Sequence, residues 1–436
     1  MKVSFLQRIF IGFTFILALF PFLPFGVRSV VTILWCILGI VFYFKENKIH
    51  TKLNKDILVF VIPYFVLIFS LFYSKNIDTG VSVLTKTLSF IIIPIPFYLN
   101  KNIFNNRILS KILYIFSAAV VLFVICQMLI VFLNKEVLLQ GLTVSEIKIN
   151  GYTSIKQISE EAVPRIKLRR FRNFISSIFN THPTYQGLWI SFTIFIFISA
   201  IFKRKKKIEK IFLSCLTLLL FAWLYLISTR MPLIALFVSG IITVVLFGGL
   251  TKKKLIYFGL SVLILSSVSL SFKTPFSLRV KEYLNTGIQI LDKSSKINDY
   301  NSSNVRNGIY YCSINVIRNN FLIGVGVGDM QDELNACYSK ELLSDIYTWR
   351  DYNTHNQYLF FFVATGFVGF VLFLLFIFYM IRKSYRDKNF IYFYFLISVS
   401  FMFLTENFLV RSDGILFFTF FNSLFFYSTL KERNYL

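Results

Sequence analysis

Residues 350–370 read RDYNTHNQYLFFFVATGFVGF, a polar segment that changes within a few residues into a long apolar run. The polar part contains His355, one of only three histidines in the chain. A membrane-spanning helix needs about 20 consecutive apolar residues, and the run that begins here is long enough. The stretch therefore predicts a transmembrane helix that starts at a membrane surface, with a histidine at the boundary.

The composition extends this prediction to the whole chain. Of 436 residues, 56% are hydrophobic and only 15% are charged, and the mean hydropathy is +0.67. Soluble globular proteins of this length are more polar. We expect an all-α polytopic membrane protein with about 12 transmembrane helices. The apolar runs are centred near residues 14, 36, 65, 90, 121, 193, 219, 239, 263, 368, 399 and 422.

The basic residues predict the orientation. The net charge is +25, and segments such as KRKKKIEK (203–210) and RKSYRDK (382–388) fall on one side when the spans are counted from a cytoplasmic N-terminus. The positive-inside rule makes that side the cytoplasm, with both termini there. The chain then divides into spans 1–5 (1–133), a first outer loop (134–184), spans 6–9 (185–272), a large outer loop (273–354), and spans 10–12 with a cytoplasmic tail (355–436).

The first outer loop contains VPRIKLRRFRNFISSIF (163–179), in which Arg169, Arg170 and other cations alternate with apolar residues. This mixture suits a segment that lies on the membrane with its cations among lipid phosphates, and it equally suits a plain anchor. Either Thr181 or His182 can then cap a helix that begins with proline. These residues alone favour a structural cap over a catalytic role for His182.

The large outer loop is expected to contain an amphipathic helix outside the membrane, with Arg306 away from its apolar face. The apolar positions at helical spacing are Val305, Ile309, Cys312 and Val316. Cys312 and Cys337 both fall in this loop, in a compartment that permits disulfides. A bridge between them and two reduced thiols are both possible. The GVGVGD segment (324–329) lacks the preceding strand that a dinucleotide-binding fingerprint requires.

Two ionisable residues lie where a charge is energetically unfavourable. Arg230 lies in a very short connection between two spans, and Glu406 lies near the outer end of a span. A charge at such a depth costs a few kcal/mol unless it is paired or hydrated. Arg230 and Glu406 could form a structural pair. Alternatively Arg230, Arg306 and arginines of the first loop converge on a phosphorylated ligand, because guanidinium binds phosphate oxygens in a bidentate manner.

Several separated stretches together resemble the O-antigen ligase superfamily, whose C-terminal module is shared with O-antigen polymerases and protein O-oligosaccharyltransferases. They occur in the family's order over roughly residues 180 to 430. The matching pieces are HPTYQGLW from His182, STRMPLIAL from Ser228, RNGIYYCSINVIRNNFLIGVGVGDMQDEL from Arg306, NTHNQYLFFFVATGFVGF from Asn353 and TENFL from Thr405.

The resemblance implies a GT-C-like glycosyltransferase of the bacterial inner membrane, with a large helical periplasmic loop between spans 9 and 10. It implies an undecaprenyl pyrophosphate-linked glycan as donor, and lipid A core or a growing glycan as acceptor. No cofactor, metal or nucleic acid is expected. By similarity, Arg230 and Arg306 contact the donor pyrophosphate and His355 is catalytic. The further candidates for substrate binding are His182, Tyr185, Arg169, Arg170, Asn356 and Glu406.

These residue types fit the implied reaction. A glycosyl pyrophosphate already carries a good leaving group, so the protein must stabilise negative charge on the departing phosphate, which preorganised arginines can do. A neutral imidazole can accept the proton of the acceptor hydroxyl. Alternatively, His355 is a phosphate ligand, or it caps span ten together with Thr354 and Asn356.

Three functions follow, of which a ligase that joins polysaccharide to lipid A core is favoured. A polymerase would use the same donor and differ only in its acceptor. A transporter or flippase is disfavoured, because transporters place unwound, Gly- or Pro-interrupted helices at the bilayer midplane. Here the unusual polar residues gather at the outer surface.

Overall fold

The computed structural model describes residues 4–46, 55–158, 162–248, 284, 287–295 and 297–428. The expected span near residue 263, the first residues of the large loop (273–283) and the end of the predicted cytoplasmic tail lie outside these residues. Within the described ranges the chain forms helices and connecting turns, without a β-strand.

The helices up to the large loop are α1 (Phe5–Ala18), α2 (Phe25–Glu46), α3 (Lys55–Leu71), α4 (Ile77–Thr87), α5 (Ser89–Ile92), α6 (Pro94–Leu99), α7 (Asn106–Leu133), α8 (Lys135–Leu139), α9 (Val144–Ile149), α10 (Ala162–Phe179), α11 (Pro183–Lys203), α12 (Lys207–Leu226) and α13 (Arg230–Gly248). The following helices are α14 (Ser302–Asn319), α15 (Met330–Cys337), α16 (Gln357–Arg386), α17 (Phe390–Phe403) and α18 (Ser412–Tyr427).

Seven helical segments of the described chain are long and apolar enough to cross a membrane. They are α2, Ile77–Leu99, α7, α11, α12, α13 and α16, and they coincide with seven of the predicted runs. The shorter apolar helices α1, α3 and α17 fall at three more. The prediction of an all-α polytopic membrane protein is confirmed, while the number of twelve spans stays a prediction.

The centre of the bundle is formed by helices that are apolar on all sides. Most side chains of α11 and nearly all side chains of α18 are buried, as expected for a helix without a polar face. Trp189 and Phe192 of α11 pack against neighbouring rings, with centroids 5.3 Å from Phe20 and 5.1 Å from Phe421, respectively. By contrast, only 17% of the apolar window of α12 and 28% of that of α13 are buried, which is typical of helices at the periphery of a bundle.

One end of the bundle is held together by a buried ion pair. Arg28 at the start of α2 pairs with Asp413 at the start of α18, and it donates to Thr181 Oγ1 just before α11 at 3.4 Å. Breaking such a buried pair typically costs about 3–5 kcal/mol. The starts of α2, α11 and α18 therefore lie together. We call this end of the bundle the site end.

The opposite end carries basic residues. Arg204 at the end of α11 donates to Tyr114 Oη at 2.7 Å, and Lys203 Nζ lies 5.1 Å from the ring of Phe390. These contacts place the end of α11 beside the first turns of α7 and the start of α17. The cytoplasmic position of this end stays a prediction from the charge pattern.

The start of α13 packs closely on α11 because Gly187 has no side chain. A Cβ at Gly187 would lie 2.6 Å from Thr229 Oγ1 and 2.8 Å from Pro232 Cγ. Ser191 Oγ donates to the Pro232 carbonyl at 3.0 Å. Arg230, the first residue of α13, is thereby placed toward the site end.

Candidate functional site

The turn between α17 and α18 is bonded to the start of α16. Asn407 Oδ1 accepts hydrogen bonds from Thr354 Oγ1 and from the backbone N–H of Asn356, both at 2.8 Å. Gln357 Oε1 accepts from the backbone N–H of Leu409 at 2.7 Å. These side chains are mostly buried, so the bonds fix the two segments side by side. The sequence pieces NTHNQ and TENFL thus meet although 51 residues separate Asn356 from Asn407.

His355 is held in an unusual backbone conformation between these bonds. Its φ is +42°, in the left-handed region that few non-glycine residues adopt. Its backbone N–H donates to Asn353 Oδ1 at 3.0 Å. Such conformations persist where the surroundings enforce them, and they cluster at functional sites.

The helix cap at this point is Asn356. Its Oδ1 accepts from the backbone N–H groups of Tyr358 at 2.9 Å and Leu359 at 3.1 Å. A cap from the His355 side chain is therefore not required, because Asn356 already accepts hydrogen bonds from backbone N–H groups in the first turn of α16.

Glu406 lies between a guanidinium and an imidazole. Its Oε1 is 3.3 Å from Arg306 Nη2, and its Oε2 is 3.9 Å from His355 Nδ1. Only 15% of the Glu406 side chain is exposed, against 33% for Arg306 and 28% for His355. His355 Nδ1 is buried without a hydrogen-bond partner, and Glu406 is the anion that faces it. The sequence suggested Arg230 as the partner of Glu406, and the structure places Arg306 beside this carboxylate.

The surroundings of Glu406 keep its carboxylate ionised. Burial by itself raises the pKa of this carboxyl, but the adjacent His355 and the positive charge of Arg306 outweigh burial and lower the pKa below its ordinary value. A permanent negative charge therefore stands beside His355 at neutral pH.

Arg306 is positioned by the fold of the large loop. Its helix α14 buries the expected apolar face, so the predicted amphipathic helix is confirmed. A disulfide joins Cys312 of α14 to Cys337 of α15, and Tyr347 Oη donates to the Val305 carbonyl at 3.1 Å. Tyr310 Oη donates to the Leu404 carbonyl at 3.3 Å, one turn from Arg306. These contacts hold the guanidinium over Glu406.

His182 and Tyr185 reach the same region from the start of α11. His182 is the N-cap residue, and its Nδ1 accepts from the backbone N–H of Thr184 at 3.3 Å. Its ring lies 6.2 Å from that of Tyr185, which is buried and packs on Phe408 at 5.2 Å. The cap expected from the sequence is present, and the Nδ1 bond leaves Nε2 as the protonated nitrogen of the neutral ring.

The charges around His182 identify two arginines that sequence reasoning did not single out. Desolvation lowers the pKa of His182, Glu406 opposes this effect, and the positive charges of Arg172 and Arg411 reinforce it. Arg172 belongs to α10 and Arg411 directly precedes α18. Nothing in the sequence marks these two arginines as site residues. Arg411 is one of several arginines in short connections, and Arg172 is one of four arginines in a basic segment.

Arg169 and Arg170 are engaged within the first outer loop. Arg170 pairs with Glu146, with Nη2 2.5 Å from Oε2, and donates to several backbone carbonyls, including that of Gly141 at 2.8 Å. Arg169 Nη1 donates to Asn150 Oδ1 at 3.0 Å. The structure gives Arg170 a role in holding this loop together, so we do not include it in the proposed site.

Glu406 is the carboxylate that lies beside both His355 and Arg306. Among the residues that the structure describes, no three His, Cys, Asp or Glu side chains are placed to hold a metal ion. Asp329 instead accepts hydrogen bonds from the backbone N–H groups of Lys75 at 2.8 Å and Asn76 at 2.7 Å.

Part of the amino-acid sequence matches the model of a known family. Residues 215–374 match the family model described as O-antigen ligase. The matched stretch contains Arg230, Arg306 and His355, whereas His182 and Glu406 lie outside it. No curated protein matches the chain. The match confirms the resemblance to the O-antigen ligase superfamily, and in general terms it supports a membrane-bound activity of the ligase or polymerase type.

Proposed function

We propose that this protein is an inner-membrane glycosyltransferase that moves a glycan from undecaprenyl pyrophosphate to a sugar hydroxyl at the periplasmic face, and that its acceptor is lipid A core. The proposal depends on one observation: Glu406 holds the His355 imidazole and the Arg306 guanidinium on either side of a single carboxylate. The family match over residues 215–374 supports the class of reaction.

In the proposed reaction His355 is the general base. The acceptor oxygen attacks the anomeric carbon of the donor sugar and its proton passes to His355, while the bond from that carbon to the phosphate oxygen breaks. The negative charge of Glu406, 3.9 Å from Nδ1, stabilises the imidazolium that forms. General-base catalysis of this kind contributes about 10²- to 10⁴-fold to a rate.

The proposed role of the arginines is to bind the diphosphate and stabilise its charge as it leaves. Arg306 now pairs with one carboxylate, and a diphosphate offers more acceptor oxygens for its planar fork. Arg230 and Arg411 stand toward the same end of the bundle and would add positive charge. Undecaprenyl pyrophosphate is the leaving group, and the isoprenoid tail stays in the bilayer.

The test uses purified protein in proteoliposomes with a synthetic undecaprenyl pyrophosphate-linked glycan and lipid A core. We expect glycan on the core lipid, and none with His355→Ala. Absence of transfer by the unsubstituted protein, or full transfer by His355→Ala, would overturn the proposal.

A deletion strain identifies the acceptor. Loss of a ligase leaves long polymer on the undecaprenyl carrier, whereas loss of a polymerase leaves core lipid capped with single repeats. We expect the first result, and the second would replace the ligase by the polymerase.

A further inference from the structure

Helix α16 is broken inside the predicted membrane span. Gly366 has φ +64° and ψ −166°, so the helix is interrupted there. The N–H groups after the break find partners in the large loop: Phe367 N–H donates to the Phe321 carbonyl at 2.8 Å, and Val368 N–H donates to the Leu322 carbonyl at 3.4 Å. A loop segment therefore completes the hydrogen bonding of a transmembrane helix.

The same segment also donates backbone hydrogen bonds to α16. Val325 N–H donates to the Val363 carbonyl and Gly326 N–H to the Ala364 carbonyl, both at 3.0 Å. In addition, Tyr73 Oη at the end of α3 donates to the Ile323 carbonyl at 2.5 Å. The segment 321–326 is thus tied to α16 and to the end of α3.

Glycine makes this approach possible. A Cβ at Gly324 would lie 2.5 Å from the Gly366 nitrogen, and a Cβ at Gly366 would lie 2.4 Å from the Ile323 nitrogen. Both residues also have positive φ. Gly324 therefore allows close backbone packing at the break, and Asp329, which binds the backbone at the α3–α4 turn, fixes the end of the segment.

The break lies within membrane depth when measured from either end of α16. At 1.5 Å per residue it is about 14 Å from Gln357 and about 26 Å from Lys383. A hydrocarbon core about 30 Å thick that begins at the basic end of the helix therefore contains it. Irregular backbone is tolerated at that depth only where its polar groups are satisfied, which is the case here.

The side chains of this segment point outward and are apolar. Phe321, Leu322 and Ile323 are 48%, 65% and 60% exposed, and residues 321–328 contain no charge. Phe321 stacks on the exposed Phe367, with ring centroids 5.3 Å apart. The exposed surface is therefore continuous with the surface that α16 presents to lipid.

We propose that residues 321–323 form a re-entrant segment that inserts into the hydrocarbon of the bilayer, with the acyl chains of bulk lipid as its partner. The segment directly follows α14, so its insertion fastens the end of the helix that carries Arg306. This inference does not depend on the reaction proposed above, because it concerns only the depth of the segment.

Fluorescent labelling of single cysteines tests the proposal. The probe is an environment-sensitive NBD label at Leu322→Cys, the one free thiol of a full-length chain in which Cys36, Cys126 and Cys215 are alanine and Cys312 and Cys337 stay in their disulfide. The matched control is Leu343→Cys, an apolar and exposed position of the same loop. Both proteins are reconstituted into phosphatidylcholine–phosphatidylglycerol vesicles with a nitroxide on the acyl chain or with iodide in the buffer.

We expect blue-shifted emission at residue 322, quenched several-fold more by the lipid nitroxide than by iodide, and the reverse at residue 343. Equal iodide quenching at both positions would show that the segment is in water. Blue emission that neither agent quenches would show that protein, such as a second copy, covers it. Either result overturns the proposal, and Ile323→Cys provides the measurement if Leu322→Cys does not fold.

Discussion

Arg306 and Glu406 are 100 residues apart in the chain, yet the guanidinium Nη2 lies 3.3 Å from the carboxylate Oε1. The arginine comes from the large loop and the glutamate from the turn between α17 and α18. The pair therefore joins the loop to the transmembrane bundle at the point where His355 also faces the carboxylate.

Replacing Arg306 tests its proposed contact with the diphosphate. We expect Arg306→Ala to reduce kcat/KM for the lipid-linked donor about 10²- to 10³-fold, which is the typical effect of removing one preorganised donor to developing charge. Arg306→Lys restores charge without the bidentate geometry and should recover only part of the rate. The matched control is Arg318→Ala on the same helix, where the arginine is exposed. Equal losses in both alanine variants would contradict the assignment.

Glu406 acts in this scheme through His355 and Arg306, so it is a positioning residue. We expect Glu406→Gln to lower kcat about 10- to 100-fold, or about 1.4–2.7 kcal/mol of transition-state stabilisation, with little change in KM for the acceptor. Glu406→Asp should recover part of kcat. Glu341→Gln, at an exposed acidic position of the large loop, should behave like the unsubstituted protein. A kcat unaffected by Glu406→Gln would rule out this role.

His182 caps α11 and also lies in the candidate site, and two substitutions can distinguish these two roles. Loss of an N-cap side chain typically costs about 1 kcal/mol, so His182→Ala should lower the melting temperature in detergent. Asparagine is a strong N-cap residue, and His182→Asn should restore that temperature. If the imidazole contacts substrate, the role for which the sequence makes His182 a candidate, the His182→Asn protein remains impaired in transfer. Full activity in that stable variant would leave His182 as a cap alone.

The disulfide between Cys312 and Cys337 should stabilise the loop that positions Arg306. It closes a loop of 25 residues, and cross-links of this size contribute about 3.5 kcal/mol in chain-entropy treatments. We expect the double variant Cys312→Ala, Cys337→Ala to show faster proteolysis of the loop and weaker donor binding. Identical mobility of the native protein on reducing and non-reducing gels, with no mass change on reduction, would show that the bridge is absent.

The pair of Glu146 and Arg170 predicts how the first outer loop responds to acid. The hydrogen bond from Arg170 lowers the pKa of Glu146 to about 2, from an ordinary value of 4.5. A carboxyl with a depressed pKa stabilises the fold fully above its unfolded value and loses this contribution as pH falls through the folded value. Proteolysis of the loop by an acid-active protease should therefore accelerate between about pH 4.5 and 2.

Glu146→Gln should remove most of that pH dependence and make the loop susceptible already at neutral pH. The control is Glu136→Gln, an exposed glutamate of the same loop. If the rate of loop proteolysis depends on pH equally in both variants, the pair of Glu146 and Arg170 does not stabilise the loop.

Much of the site could be anticipated from single stretches of sequence. Three local patterns each predict a structure from neighbouring residues alone. The polar-to-apolar change at His355 predicts the start of a span, the proline after His182 predicts a helix cap, and the helical spacing around Cys312 predicts a buried helix face. The alternative partners for Glu406 could not be separated in this way. A glutamate inside an apolar run demands a cation, but no local rule says which arginine reaches it.

The sequence by itself determined that the chain is a helical membrane protein and which polar residues stand at the ends of its helices, because hydropathy and capping depend on residues close together in the chain. Only the tertiary structure decided that Glu406 pairs with Arg306, that Arg170 binds within its own loop, and that the segment after α14 completes the hydrogen bonding of a broken helix. These outcomes depend on how distant segments pack, since a long arginine side chain can reach several partners and the surrounding backbone selects one.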